Sequence, residues 1–544
     1  MHNGMPKLLA IGLDGFEISL AERLMAEGRM PNLARLRDAS ARFRLNHGPA
    51  KYSGLAWEHV STGRTPESLD RHSAVFFDPA SYDVRQEPTN ETPIFAHLRS
   101  RSVLFDVPYC DLHRAPNLEG IARWGAHDPG APQSCSPPSL ALEIEERFGP
   151  YPAADYIYAM VWHSVDQTER AGAALLEAVR TRARAAEWVL KHRLPGWEFA
   201  MVVVSEPHSA LEPLWHGVDA HHPLHALPSA PVARNALEEV YVEVDALIGR
   251  LGAAFPDAAM AVFAMHGMGD NGADVPTMVL LPELLYRRAF GRPWMREIPW
   301  SHALADGTPL LAETETWHHT MEARIPPLWS REVREARTGM QRREPAVTHA
   351  EIDWQPASRY RPFWPDMDAF GMPSFYDGRV RINLIGRERL GRVPLEDYGR
   401  VVEDIKALLG ACVDPITSKP VVAGFSEPVK PALAVSSTES DLYVYWAGLA
   451  TGFVHPDLGR IGPVPFRRTG GHSGPFGFLY CAQTSLPAGD FGEASSFDVM
   501  PTLFAILDEP MPPVPISGKS LLSPAQVQAG HLDLIQAGSQ AKKS

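Results

Sequence analysis

Three positions far apart in the chain carry residue types that could do chemistry together. Asp14 closes an apolar run, residues 8–13, and is followed by Gly15. Ser53 stands in Lys51-Tyr52-Ser53-Gly54-Leu55-Ala56-Trp57, with Ser61-Thr62-Gly63 behind it. His472 sits in the glycine loop Arg468-Thr469-Gly470-Gly471-His472-Ser473-Gly474. A carboxylate at a strand end, a hydroxyl in a turn before a helix and an imidazole in a glycine loop suit a metal-assisted nucleophilic site. In such a site bound cations lower the pKa of a hydroxyl and neutralise a phosphoryl or sulfuryl group. Each residue also has a plainer use, since Asp14 and Ser53 are good helix caps. Their order along the chain is what makes the pattern.

Further candidates lie between these anchors. Five of the 22 histidines fall close together, at His208, His216, His221, His222 and His225. The segment Ser205-Glu206-Pro207-His208-Ser209-Ala210-Leu211-Glu212 offers one imidazole and two carboxylates, all able to bind a divalent cation. His266 follows Met265 at the end of another apolar run. Lys51 is either a surface charge or a group that stabilises a leaving oxygen. The basic stretch around Arg379, Arg381 and Arg387 either binds an anion or forms internal ion pairs.

The elements that must position these residues follow from hydrophobic periodicity. Residues 8–13, 102–107, 199–204 and 258–264 are short continuous apolar runs, as in strands buried on both faces. Between them lie helical patterns, for example residues 233–251 with Leu237, Val240, Val244, Leu247 and Leu251 at helical spacing. This alternation predicts an α/β fold with a mainly parallel central sheet and helices on both faces. Ligands in such sheets bind beyond the carboxyl ends of the strands, where Asp14, Glu206, Met265 and His266 fall. The expected organisation is a core from residues 1–286, an inserted cap lobe over 287–370, the resumed core over 371–522 and a polar tail over 523–544. The lobe is rich in tryptophan (Trp294, Trp300, Trp317, Trp329, Trp354, Trp364), which reads first as aromatic packing and second as substrate contact.

Composition sets bounds. The 544 residues are 45% hydrophobic and 21% charged, an ordinary globular balance. A net charge of −14 argues against a general nucleic-acid binder. Four scattered cysteines show no paired spacing and predict neither a disulfide framework nor a cysteine zinc site. With no signal-peptide pattern and no apolar run long enough to span a membrane, a cytoplasmic location without a membrane partner is expected.

The motifs together resemble the alkaline phosphatase superfamily, and within it the type I phosphodiesterase and nucleotide pyrophosphatase branch with its phosphohydrolase/phosphomutase-like relatives. The resemblance spans residues 7–285 and 370–520. It is carried by Leu13-Asp14-Gly15, the Ser53 turn with Thr62-Gly63, His266-Gly267-Met268-Gly269, Arg468-Thr469-Gly470-Gly471-His472, and the stretch from Glu493 to Thr502. It implies one or two divalent cations, zinc first and manganese as an alternative. It also implies a covalent intermediate on Ser53, with Asp14, Ser53 and His266 serving one ion and His472 the other. Two positions depart from the family pattern. Met265 replaces an aspartate, and a neutral thioether is a poor zinc ligand beside a carboxylate. In the 205–215 segment the ligands are either His208 with Glu212, in reversed order, or Glu206 at the strand end. The implied function is metal-dependent hydrolysis of small anionic phosphate esters, of the diester or nucleotide pyrophosphate type. A phosphoryl transferase or mutase, and a binding protein with a degenerate metal site, are the alternatives.

Overall fold

The computed structural model describes residues 7–87, 89–126, 132–162, 164–336 and 352–522; the expected polar tail lies outside them. Nine strands form the main sheet: β1 (Leu8–Leu13), β2 (Ser40–Asn46), β3 (Ser102–Phe105), β4 (Leu118–Ala122), β5 (Ser134–Ser136), β6 (Phe199–Val204), β7 (Ala259–Ala264), β8 (Phe476–Ala482) and β9 (Gly489–Ser495). Their order is β9-β2-β8-β7-β1-β6-β3-β4-β5. The central five, β7-β1-β6-β3-β4, are all parallel, while β8 runs antiparallel to both β7 and β2. This is the mainly parallel α/β sheet that the apolar runs predict.

Alternation along β1 shows why the strand is apolar throughout. Leu9, Ile11 and Leu13 join the core on one face of the sheet, and Leu8 and Ala10 join the core on the other. The first face is covered by α2 (Val165–Trp188) and α4 (Ala230–Ala254), the second by α1 (Ala56–Thr62) and α5 (Val499–Ile506). α2 starts where Ser164 caps it, its hydroxyl accepting the Gln167 N–H, with Asp166 in the first turn. Each aliphatic side chain fully buried between these layers contributes roughly 1.5–3 kcal/mol relative to exposure.

A second lobe has its own core. It contains a four-stranded antiparallel sheet in the order Ala369–Met372, Gly378–Ile382, Leu442–Trp446, Val422–Ser426, with the helix Tyr398–Gly410 packed on it. Buried aromatics fill it, among them Trp317, Tyr360, Phe363 and the stacked pair Trp364 and Phe370. The chain therefore divides differently from the expectation of an insertion over 287–370. Residues 371–464, expected to resume the core, build this lobe instead, and only the segment from β8 onward rejoins the main sheet. The hydrophobic alternation of these strands is real, but periodicity does not say which sheet a strand joins. The basic stretch lies inside the lobe as ion pairs, Arg379 with Asp377, Arg381 with Glu388 and Arg387 with Asp441.

Candidate metal and phosphoester site

The polar groups gather beyond the carboxyl ends of β1, β6 and β7, as the topology requires. Asp14 follows β1 directly. Helix α3 (Glu206–Leu214) follows β6 and presents His208 and Glu212 four residues apart, hence on one helix face. His266 follows β7 and Met265. Two close approaches bring these elements together, and both need glycine. Gly15 has φ +57°, and a Cβ there would lie 2.5 Å from the Cα of His208, so its absence lets α3 settle onto the Asp14 turn. A Cβ on Gly470 would lie 2.4 Å from the carbonyl oxygen of Leu211 in α3. The short antiparallel pairing of Gly269–Asp270 with Gly470–Gly471 then fastens the His472 loop to the His266 loop.

The side chains converge as follows. His208 Nδ1 lies 2.9 Å from Asp14 Oδ2. A carboxylate only accepts, so Nδ1 donates to Asp14, and Nε2 lies on the other side of the ring. There His208 Nε2 is 3.2 Å from Glu212 Oε1 and 3.2 Å from His472 Nε2. His266 donates from Nδ1 to the Gly267 carbonyl at 3.0 Å, leaving its Nε2 lone pair 3.3 Å from His472 Nδ1. Burial pushes the His266 pKa down to about 4, so this imidazole is neutral at neutral pH. Glu212 also accepts from Arg468, and Arg468 and Arg467 both donate to Asp274.

This donor set fits a divalent cation. Ligand atoms of His208, Glu212 and His472 all lie within 4.8 Å of one another. Two imidazoles and one carboxylate are a familiar zinc set. The two 3.2 Å separations match the edge of a tetrahedron, about 3.3 Å for ligand bonds of about 2.0–2.1 Å. The Asp14 carboxylate on His208 Nδ1 is the kind of partner that fixes a ligating tautomer. Among the described residues one other group of this kind occurs, Asp70, His72 and Glu439, and there the Lys430 ammonium already bridges Asp70 and Glu439.

Asp14, His208, His266 and His472 line one cleft of about 460 Å³, and Glu212 lies against it through His208 and Arg468. Ser53 is buried in the turn before α1, whose neighbours Lys51, Gly54, Ala56 and Trp57 line the same cleft. The Ser53 hydroxyl donates to the Ala50 carbonyl at 2.7 Å and accepts the Leu55 N–H at 3.1 Å. Glu206 does not join the group. Both of its oxygens take the Arg182 Nε–H, at 2.9 and 2.8 Å, and one also accepts the Tyr151 hydroxyl at 3.0 Å. At about 100° per residue, position 206 points away from the face shared by 208 and 212. The alternative that made Glu206 a ligand is thus corrected to an internal ion pair. Of the clustered histidines, His208 reaches the cleft, whereas His216, His222 and His225 organise the turn after α3 through contacts with Thr469, Leu224 and the His216 carbonyl.

Several cleft residues were not singled out from the sequence: Arg123, Tyr158, His318, Tyr376 and Arg467. His318 and Trp354 come from the lobe, so part of the expected insertion does contact the cleft. Tyr376 packs against His472, with ring centroids 4.0 Å apart and planes tilted by 54°. Arg467 and Arg468 had a signal, since they directly precede the glycine loop of His472. Lys51 is half-buried in the cleft wall, its ammonium 3.3 Å from the Gly474 carbonyl, and burial lowers its pKa.

A sequence profile of the type I phosphodiesterase / nucleotide pyrophosphatase family matches residues 8–427. The chain belongs to that family and is an enzyme of the phosphoester hydrolase class. Solved structures similar to it include phosphonoacetate hydrolase from Sinorhizobium meliloti 1021 in complex with phosphonoformate, at 13% identity and a TM-score of 0.44, covering 93% of this chain and 95% of that one. Human ectonucleotide pyrophosphatase / phosphodiesterase 5 is similar at 10% identity and a TM-score of 0.46, covering 94% and 97%. Its murine counterpart, inactive and in complex with AMP, is similar at 11% identity and a TM-score of 0.45, covering 94% and 97%. No curated protein matches the sequence.

Proposed function

We propose that the chain is a divalent-metal-dependent hydrolase of small anionic phosphate esters, of the diester or nucleotide pyrophosphate type, with Ser53 as the nucleophile. The observation that carries this is the convergence of His208 Nε2, Glu212 Oε1 and His472 Nε2 at tetrahedral-edge spacing in the cleft beside the Ser53 turn. Zinc is the first choice of ion and manganese the second, because imidazole and carboxylate donors suit both. When bound, the ion would supply Lewis-acid stabilisation of the phosphoryl oxygens.

The chain's own residues do the rest. Asp14 holds His208 in the tautomer whose Nε2 faces the other donors. Arg467, Arg468 and Lys51 present positive charge to an anionic ester along the cleft wall. Trp57, Trp354, Phe375 and Tyr376 give an apolar surface for its organic part. Rotation of Ser53 about χ1 releases its hydroxyl from Ala50 and turns it toward the cleft. Its oxygen then bonds to phosphorus as the bond to the leaving alcohol breaks. The Ser53 proton goes to solvent and the alcohol takes one from water. Water next attacks the phosphoseryl phosphorus and frees Ser53.

The test is a panel of aryl phosphate monoesters, diesters, nucleotide pyrophosphates and sulfate esters, assayed with added zinc or manganese. Diester or pyrophosphate turnover that EDTA removes and metal restores is the expected result. Turnover unaffected by chelation would overturn the metal dependence. Intact-protein mass spectrometry of a rapidly quenched reaction should show a phosphoryl adduct in the wild type and none in Ser53→Ala; equal adducts in both would remove Ser53 from the mechanism.

A further inference from the structure

The family resemblance implies up to two ions, but the donors for a second one do not fit as well as those for the first. The position that would provide a second carboxylate, directly before His266, is Met265. Its side chain is buried in the apolar core together with Trp57, Phe263 and Leu479. It is neutral, soft and committed to packing. Asp14, the other carboxylate on that side, is engaged by His208 through Oδ2.

Charge points the same way. The cations of the cleft wall, Lys51, Arg123, Arg467 and Arg468, exceed by one the three carboxylates Asp14, Glu212 and Asp274 that lie in or directly behind it. Arg467 and Arg468 are both buried, held in place by Asp274 and, for Arg468, by Glu212. One divalent ion at His208, Glu212 and His472 has a carboxylate partner and makes the cleft firmly positive. A second divalent ion without a carboxylate of its own would enter a site that is already positive, and like charges at such separations repel strongly in a partly buried setting.

We infer that the chain binds a single catalytic metal ion at His208, Glu212 and His472, with Asp14 orienting His208, and that the buried pair Arg467 and Arg468 supplies to the substrate the positive charge a second ion would bring. This rests on the metal-dependent reading above and fixes its stoichiometry.

The experiment is metal counting on the full chain, loaded with zinc, freed of excess by gel filtration and measured by inductively coupled plasma mass spectrometry. Wild type should hold one equivalent. His208→Ala and His472→Ala should hold close to none, with unchanged circular dichroism, and His266→Ala should still hold one. Two equivalents in wild type, falling to one in His266→Ala, would overturn the single-ion assignment while leaving metal dependence intact. No bound zinc or manganese in wild type would overturn both. For the arginines, inorganic phosphate binding to the zinc-loaded protein is measured by calorimetry. Arg468→Gln should keep one zinc and weaken phosphate binding about 10- to 100-fold, the usual effect of losing a charge-assisted hydrogen bond. Arg468→Lys, which keeps the charge, should recover part of that loss. Unchanged phosphate affinity in Arg468→Gln, or loss of its zinc, would overturn the role given to Arg468.

Discussion

Helix α3 carries two fully buried glutamates, Glu206 and Glu212, and the molecule treats them in opposite ways. Glu206 faces the interior between α2 and β6. Arg182 spans it and Asp106, Tyr151 adds a hydroxyl, and Asp106 is further satisfied by the N–H groups of Trp124 and Gly125. These partners of Glu206 and Asp106 all belong to the protein interior. Glu212, on another face of the same helix, lies near ring nitrogens of His208 and His472 and accepts from Arg468 beside an accessible cleft. The same residue type at the same depth is enclosed by partners inside the protein in one case and, in the other, stands between Arg468 and His208 at the edge of an open cleft. A buried pair held by desolvated partners is costly to break, whereas an ion can be added or removed.

The contrast can be broken from either side. The largest effect belongs to the chemistry next to Glu212. Ser53→Ala should lower kcat by well over about 100-fold while zinc content stays at the wild-type level; a nucleophile supplies at least that much. His208→Ala and Glu212→Gln come next. Zinc titration should show losses beyond the roughly 10- to 100-fold typical of outer partners, and Asp14→Asn should fall within that range if its main task is to orient His208. Equal losses for all three would make Asp14 a direct ligand.

On the other face of α3, Arg182→Met leaves Asp106 and Glu206 buried without their cation. It should cost about 3–5 kcal/mol of unfolding free energy, read by urea denaturation, with the zinc stoichiometry of the folded protein unchanged. Loss of zinc in folded Arg182→Met would show that the two faces of α3 are not independent. The smallest effect is expected at the lobe. Trp354→Ala removes one apolar wall of the cleft and should raise KM for an aryl ester several-fold with little change in kcat, the signature of lost uniform binding. An equal fall in kcat would assign Trp354 a part in the reaction itself.

Much of this architecture is written in local pattern. The continuous apolar runs of β1, β6 and β7, and the polar residues just after them, are enough to predict a parallel sheet with a site at its carboxyl edge, since burial on both faces demands such strands. The four-residue spacing of His208 and Glu212 becomes one helix face only because α3 forms there. What local pattern could not supply was partnership. Nothing near Glu206 in sequence reveals Arg182, which arrives from α2, and nothing near residues 369–464 says that their strands pair with one another and leave the main sheet. The placement of Trp354 and His318 against the cleft, the pairing of the His266 and His472 loops through their glycines, and the twin arginines beside Glu212 are likewise long-range contacts. The sequence by itself determined which residues could bind an ion and at which end of the sheet. Only the tertiary structure decided which carboxylate stands beside imidazoles at the cleft and which is enclosed by Arg182 and Tyr151, because that choice depends on what other elements deliver to each face of one short helix.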